Sequence, residues 1–158
     1  VGSEMCIRDS PGTEPDYVDA EFEQRSIPHC AHSRIPMRLV LALPVWQDRG
    51  QLFCFTEIRL RIGPSRFRVA DFAAFIREQE PIPQDAALVI VEIVSPEDRH
   101  ENLMIKLADY EEAGVEFLFV ADPPLRKLSR YLKGDLLSVA ALEIPVYGIS
   151  IPLSRIFA

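Results

Sequence analysis

The sequence predicts an α/β (α+β) fold with a mixed central β-sheet flanked by helices, and three observations carry that expectation. Leu88 to Val94 is an unbroken apolar, β-branched run, the composition of a strand buried on both faces. Residues 96–113 follow with Leu103, Leu107 and Tyr110 at helical spacing. Val115 to Ala121 is then a second apolar run. A single helix between two successive apolar strands implies a right-handed crossover, so these two strands are expected to be parallel.

The rest of the chain falls around that unit in order. Tyr17 to Arg25 alternates apolar and polar residues, as a half-exposed strand does, and is expected to be half of a hairpin whose partner precedes it. His29 to Arg49 reads as a helix, because Ile35, Leu39, Leu43 and Trp46 recur at spacings of four and three. Pro36 is expected in its first turn, while Pro44 should kink the helix or end it early. Gln51 to Ile62 and Phe67 to Phe75 are strands joined by a turn at Gly63-Pro64-Ser65. Strict alternation puts Phe67, Val69, Asp71, Ala73 and Phe75 on one face. Residues 77–86 form an acidic, proline-punctuated loop. Ser95-Pro96-Glu97-Asp98 fits a helix start, with Ser95 as N-cap and Asp98 as the acid of a capping box. Gly114 ends that helix as a left-handed cap. Asp122-Pro123-Pro124 turns into a hairpin of Lys127 to Leu132 and Leu136 to Ile144, and a short apolar element, Ser154 to Ala158, closes the chain.

A chain of 158 residues is long enough for one domain with a sizeable core, and 48% hydrophobic against 26% charged residues is the balance of a folded protein. No apolar run approaches the roughly 20 residues that cross a bilayer. Cys6, Cys30 and Cys54 are odd in number and lack metal or disulfide spacing, so reduced thiols and a cytoplasmic location are expected. The net charge of −7 means that a nucleic-acid partner has to be met by a local basic surface. Residues 4–10, EMCIRDS, match the read-through of a sequencing adapter (AGATGTGTATAAGAGACAG encodes Met-Cys-Ile-Arg-Asp). Residues 1–10 are therefore expected to be an assembly artefact on a gene lacking its true start, with residues 11–158 forming a single domain.

Two acids and a lysine stand out. Glu92 lies in the middle of the most apolar strand, where an ionised carboxylate costs several kcal/mol unless paired or bound to a cation. Asp71 carries the inward parity of its strand, and Lys106 lies roughly 60° off the buried stripe of its helix. Carboxylates converging in a low-dielectric cleft repel each other, which a divalent cation with hard oxygen ligands relieves. A structural alternative stands beside this one: Asp71 paired with Arg59 or Arg68, Glu92 capping a neighbouring group, and Lys106 solvated with its stem along the surface. His29 and His32, flanking Cys30, lack further ligands at useful spacing and are expected to cap the helix or face solvent. His100 is expected at the surface of the first helical turn. Gly-rich phosphate loops, GxSxG elbows and CxxC pairs are absent from the sequence.

VIVEIVSPEDR, KLADYEEAGV and FLFVADPPLRKLSRY together resemble the Uma-type restriction endonuclease family of the PD-(D/E)XK nuclease superfamily. YVDAEFEQR and FTEIRLRIGPSRFRVADFAAF extend the resemblance upstream, so that it covers about residues 16–158. It implies a restriction-endonuclease-like fold and Mg²⁺- or Mn²⁺-dependent hydrolysis of DNA phosphodiester bonds. In that scheme Asp71, Glu92 and the backbone carbonyl of Ile93 hold the metal, and Lys106 orients the attacking water or neutralises developing charge. The superfamily's usual lysine, two residues after the glutamate, is replaced here by Val94, and Lys106 is the substitute. Other departures are Ala70 for a proline, Ala20 for a glycine and Phe119 for a tryptophan, and Pro44 has no expected counterpart. A homodimer would suit cleavage of both strands. A non-catalytic member, keeping the scaffold to bind nucleic acid or protein, is the alternative, and a truncated fragment with structural acids is a third.

Overall fold

The computed structural model describes residues 16–18, 21–23, 30–95 and 100–158. The expectations for residues 1–10, for His29 and for the turn at residues 96–98 lie outside the described residues. Strand β1 (Asp16–Val18) pairs antiparallel with β2 (Glu21–Glu23). Helices α1 (Cys30–Ala42) and α2 (Pro44–Asp48) follow, then the antiparallel pair β3 (Phe53–Arg61) and β4 (Phe67–Phe75). Strand β5 (Val89–Ile93), helix α3 (His100–Glu112) and strand β6 (Phe117–Asp122) come next. The chain ends with β7 (Lys127–Leu132), β8 (Asp135–Val139), β9 (Ala141–Ile144), β10 (Ile149–Pro152) and the short helix α4 (Leu153–Ile156).

The main sheet runs β2-β1-β4-β5-β6-β7-β8, with β3 paired to β4 off that path. Strands β5 and β6 are parallel, as a crossover through α3 requires, and the other pairs are antiparallel. Both faces of the sheet are covered, which is why all of β5 is buried and reads as a continuous apolar run. On one face Ile35 and Leu39 of α1 pack with Phe72, Val89, Val91 and Phe119. On the other, Leu107 and Tyr110 of α3 pack with Ala73, Ile90, Leu118 and Val120. Each such buried side chain contributes roughly 1.5–3 kcal/mol. The side chain of Glu92 shares the parity of Ile90 and therefore faces α3.

Several elements differ from the sequence expectation. The hairpin at the start lies wholly within residues 16–23, so Tyr17 to Arg25 is not one strand. The expected helix over residues 29–49 breaks at Leu43, one residue before Pro44, whose ring disfavours a helical residue ahead of it. Pro36 is interior to α1 rather than in a first turn, and its missing N–H cannot serve the carbonyl of His32. Leu136 to Ile144 is two strands: β9 leaves the main sheet to pair with β10, carrying Leu142 and Ile144 into the α1-side core. The Asp71 strand does not alternate strictly either. Ala70 and Ala73 share the α3 side and Phe72 the α1 side, so the alternation slips at Asp71.

Candidate active site

Glu92 is 4% exposed, so its carboxylate is largely removed from water. Its charge is met from α3. Lys106 Nζ donates to Glu92 Oε2 at 2.8 Å and to the backbone carbonyl of Val69 on β4 at 2.8 Å. The Tyr110 hydroxyl donates to Glu92 Oε1 at 3.0 Å. Lys106 and Tyr110 are four residues apart, hence neighbours on one helical face, and α3 presents both to the same carboxylate. The Lys106 side chain is only 13% exposed, so the picture of a solvated surface lysine does not hold. One ammonium ties together β4, β5 and α3.

Asp71 is also buried, and its Oδ2 accepts the backbone N–H of Ile93 at 2.8 Å. Ile93 is the residue after Glu92, so Asp71 is joined to the same strand that carries the second acid. The Asp71 carboxylate also lies 3.3 Å from Nε2 of His32 on α1. Arg68, one of the partners expected for Asp71, engages Asp109 of α3. The Arg68 guanidinium sits almost fully buried against Asp109 Oδ2, with Nε at 2.9 Å and Nη2 at 2.7 Å, while Arg66 takes Oδ1 at 2.9 Å. Arg68 pins α3 to β4, and Arg66, just ahead of that strand, adds a second tie, which together set the height at which Lys106 meets Glu92.

The break in alternation has a local cause. Thr56 pairs with Phe72 and Ile58 with Ala70 in one continuous register, and the backbone departs from regular strand geometry at Glu57 between them. Glu57 has φ +50°, a left-handed conformation that costs an L-residue roughly 1–2 kcal/mol. That register sets Glu57 opposite Asp71 on the neighbouring strand. His32, Glu57 and Asp71 each offer a ligand atom within 4.8 Å of the others, a set able to hold a metal ion. Neither His32 nor Glu57 is found by spacing in the sequence. They lie on separate elements, and HCAH suggested a cap or a surface residue. The only signal for Glu57 is an acid in an alternating strand, which is the ordinary pattern of a solvated face. His100 is exposed, as expected, and Asp122 Oδ1 caps its turn by accepting the N–H of Leu125.

Comparison with known proteins agrees with this architecture. A family model described as Uma2, "Putative restriction endonuclease", matches residues 3–152. The crystal structure of a "putative nuclease belonging to DUF820" from Anabaena variabilis superposes with a TM-score of 0.80 at 20% identity, covering 93% of this chain and 92% of that one. No curated protein matches. At that identity the superposition speaks for the fold alone, while the family match spans nearly the whole sequence. The chain belongs to the Uma2 family, and its fold is that of a restriction-endonuclease-like mixed sheet.

Proposed function

We propose that this protein is a divalent-metal-dependent endonuclease hydrolysing phosphodiester bonds in DNA, with Asp71, Glu92 and the backbone carbonyl of Ile93 holding Mg²⁺ or Mn²⁺. The observation that carries this reading is the Lys106 ammonium held at 2.8 Å from both Glu92 and the Val69 carbonyl, beside the strand pair bearing the two acids. Two carboxylates from adjacent strands supply hard oxygen donors suited to such an ion. The Ile93 N–H is aimed at Asp71, and the carbonyl of a strand residue leaves by the same edge as its N–H, so that oxygen is directed to the Asp71 side too.

A bound divalent ion would polarise the phosphate and lower the pKa of a coordinated water. The protein's own groups do the rest. Lys106 keeps a positive charge next to Glu92, where it can orient the nucleophile or offset negative charge on the phosphorane-like transition state. Tyr110 fixes one oxygen of Glu92, leaving the other to be shared between Lys106 and an ion. Among the described residues no helix is long and apolar enough to cross a membrane. A cytoplasmic enzyme acting on DNA, as a dimer where both strands are cut, fits this picture.

Supercoiled plasmid with millimolar Mg²⁺ or Mn²⁺ tests it. Wild-type protein should nick the plasmid and chelator should stop it, while Glu92→Gln slows the rate by about 10²-fold or more. Equal cleavage by both proteins removes the assignment. The net charge of −7 favours a second reading, a non-catalytic module for nucleic acid or protein. Calorimetry showing no Mg²⁺ or Mn²⁺ binding, with or without DNA, would select that module.

A further inference from the structure

We propose that His32, Glu57 and Asp71 form a binding site for a first-row divalent transition ion, on the α1 side of the sheet, with two ligands that lie outside the Asp71–Glu92 pair. The site goes beyond the nuclease reading, because ion binding there does not require DNA cleavage. Asp71 is common to both ligand sets.

The geometry is that of a ligand shell. Ligand atoms about 2.1 Å from an ion and 90–109° apart lie roughly 3.0–3.4 Å from each other. His32 Nε2 and Asp71 Oδ2 are 3.3 Å apart, inside that window and longer than the about 2.7–2.9 Å of a strong charge-assisted hydrogen bond. All three ligand atoms fall within 4.8 Å of one another, whereas ligands directly opposite across an ion are about 4.2 Å apart. Movement of the exposed Glu57 side chain would close the set. Asp71 is 2% exposed and His32 half-buried, so two ligands are fixed and one is adjustable.

Charge and access agree with the distances. Two carboxylates and a neutral imidazole carry a charge of −2, which one divalent ion cancels. An open groove of about 370 Å³, lined by Ser33, Met37 and Thr56 among others, reaches the cluster at Glu57. It gives an ion a way in and leaves room for water on the remaining coordination positions. The imidazole decides the selectivity: it is a poor ligand for Mg²⁺, which prefers oxygen, and a good one for first-row transition ions.

Electron paramagnetic resonance of Mn²⁺ added to the full chain without DNA tests the site. Wild type should bind Mn²⁺, keep it in about tenfold excess of Mg²⁺, release it to Zn²⁺, and show spin-echo modulation from an imidazole nitrogen. His32→Ala should abolish the modulation, and His32→Ala and Glu57→Gln should each weaken binding about tenfold or more. Glu92→Gln should leave the modulation in place. Glu57→Gln changes an exposed strand residue, so it reports even where His32→Ala does not fold. Bound Mn²⁺ without nitrogen modulation, equal affinity in Glu57→Gln, or a wild type that binds no Mn²⁺ would each overturn the proposal. Absence of plasmid cleavage would overturn the nuclease reading and leave this one standing.

Discussion

Glu92 would be intolerable in the centre of β5 were it not for two groups on α3. Lys106→Ala leaves that carboxylate buried with its cationic partner gone, and the expected loss of stability is about 3 kcal/mol. Urea unfolding measures it, and a midpoint unchanged from wild type would contradict the pairing. Thiol chemistry gives an independent check on burial. Desolvation pushes the Cys54 thiol up to about 12, so almost none of it is thiolate at neutral pH. Cys30 is exposed. Iodoacetamide at pH 7.5 should therefore label Cys30 well before Cys54 in peptide maps, and faster labelling of Cys54 would be the contrary result. At this scale the sequence was informative wherever a residue contradicted its surroundings. An acid inside LVIVEIV needs explaining on sight. His32 and Glu57 contradict nothing locally, and they meet at Asp71 only through the β3–β4 register and the packing of α1 on the sheet, neither of which a pattern of residue types announces.

Elements were legible where one period dominated. The run of β5, the stripe of α3 and the apolar β6 together specify the parallel crossover, and each emerged where expected. Proline chemistry placed the break between α1 and α2, though it misplaced Pro36, which the helix absorbs in its interior. The division of β8 from β9 was not legible, because apolar residues continue across it and only pairing with β10 reveals the change of sheet. Gly114 marks the end of α3 with φ +90°, a conformation open to glycine and costly for other residues. A Cβ there would meet Ala86 Cβ at 3.6 Å, an ordinary contact, so the penalty of Gly114→Ala is conformational. About 1 kcal/mol of destabilisation is expected by thermal or urea unfolding, and a stabilised variant would show that the left-handed cap is misassigned.

Across the whole molecule, the sheet separates two helical sides and the candidate centre lies where both reach the same pair of strands. From one side α3 brings Lys106 and Tyr110 to Glu92, and from the other α1 brings His32 to Asp71. The sequence was sufficient for the sheet, the crossover and the family resemblance, because these follow from periodicity and from residues close in the chain. It was insufficient for the slip at Asp71, since the inward parity assigned to that strand assumes an undistorted ladder. The central claim is that the two acids serve one reaction. Single-turnover cleavage of a DNA fragment by Asp71→Asn, Glu92→Gln and the double variant measures this most directly. One shared centre predicts that each single change costs about 10²-fold or more and that the double variant is scarcely slower than the worse single one. Losses that multiply in the double variant, or either single variant cutting at the wild-type rate, would contradict it.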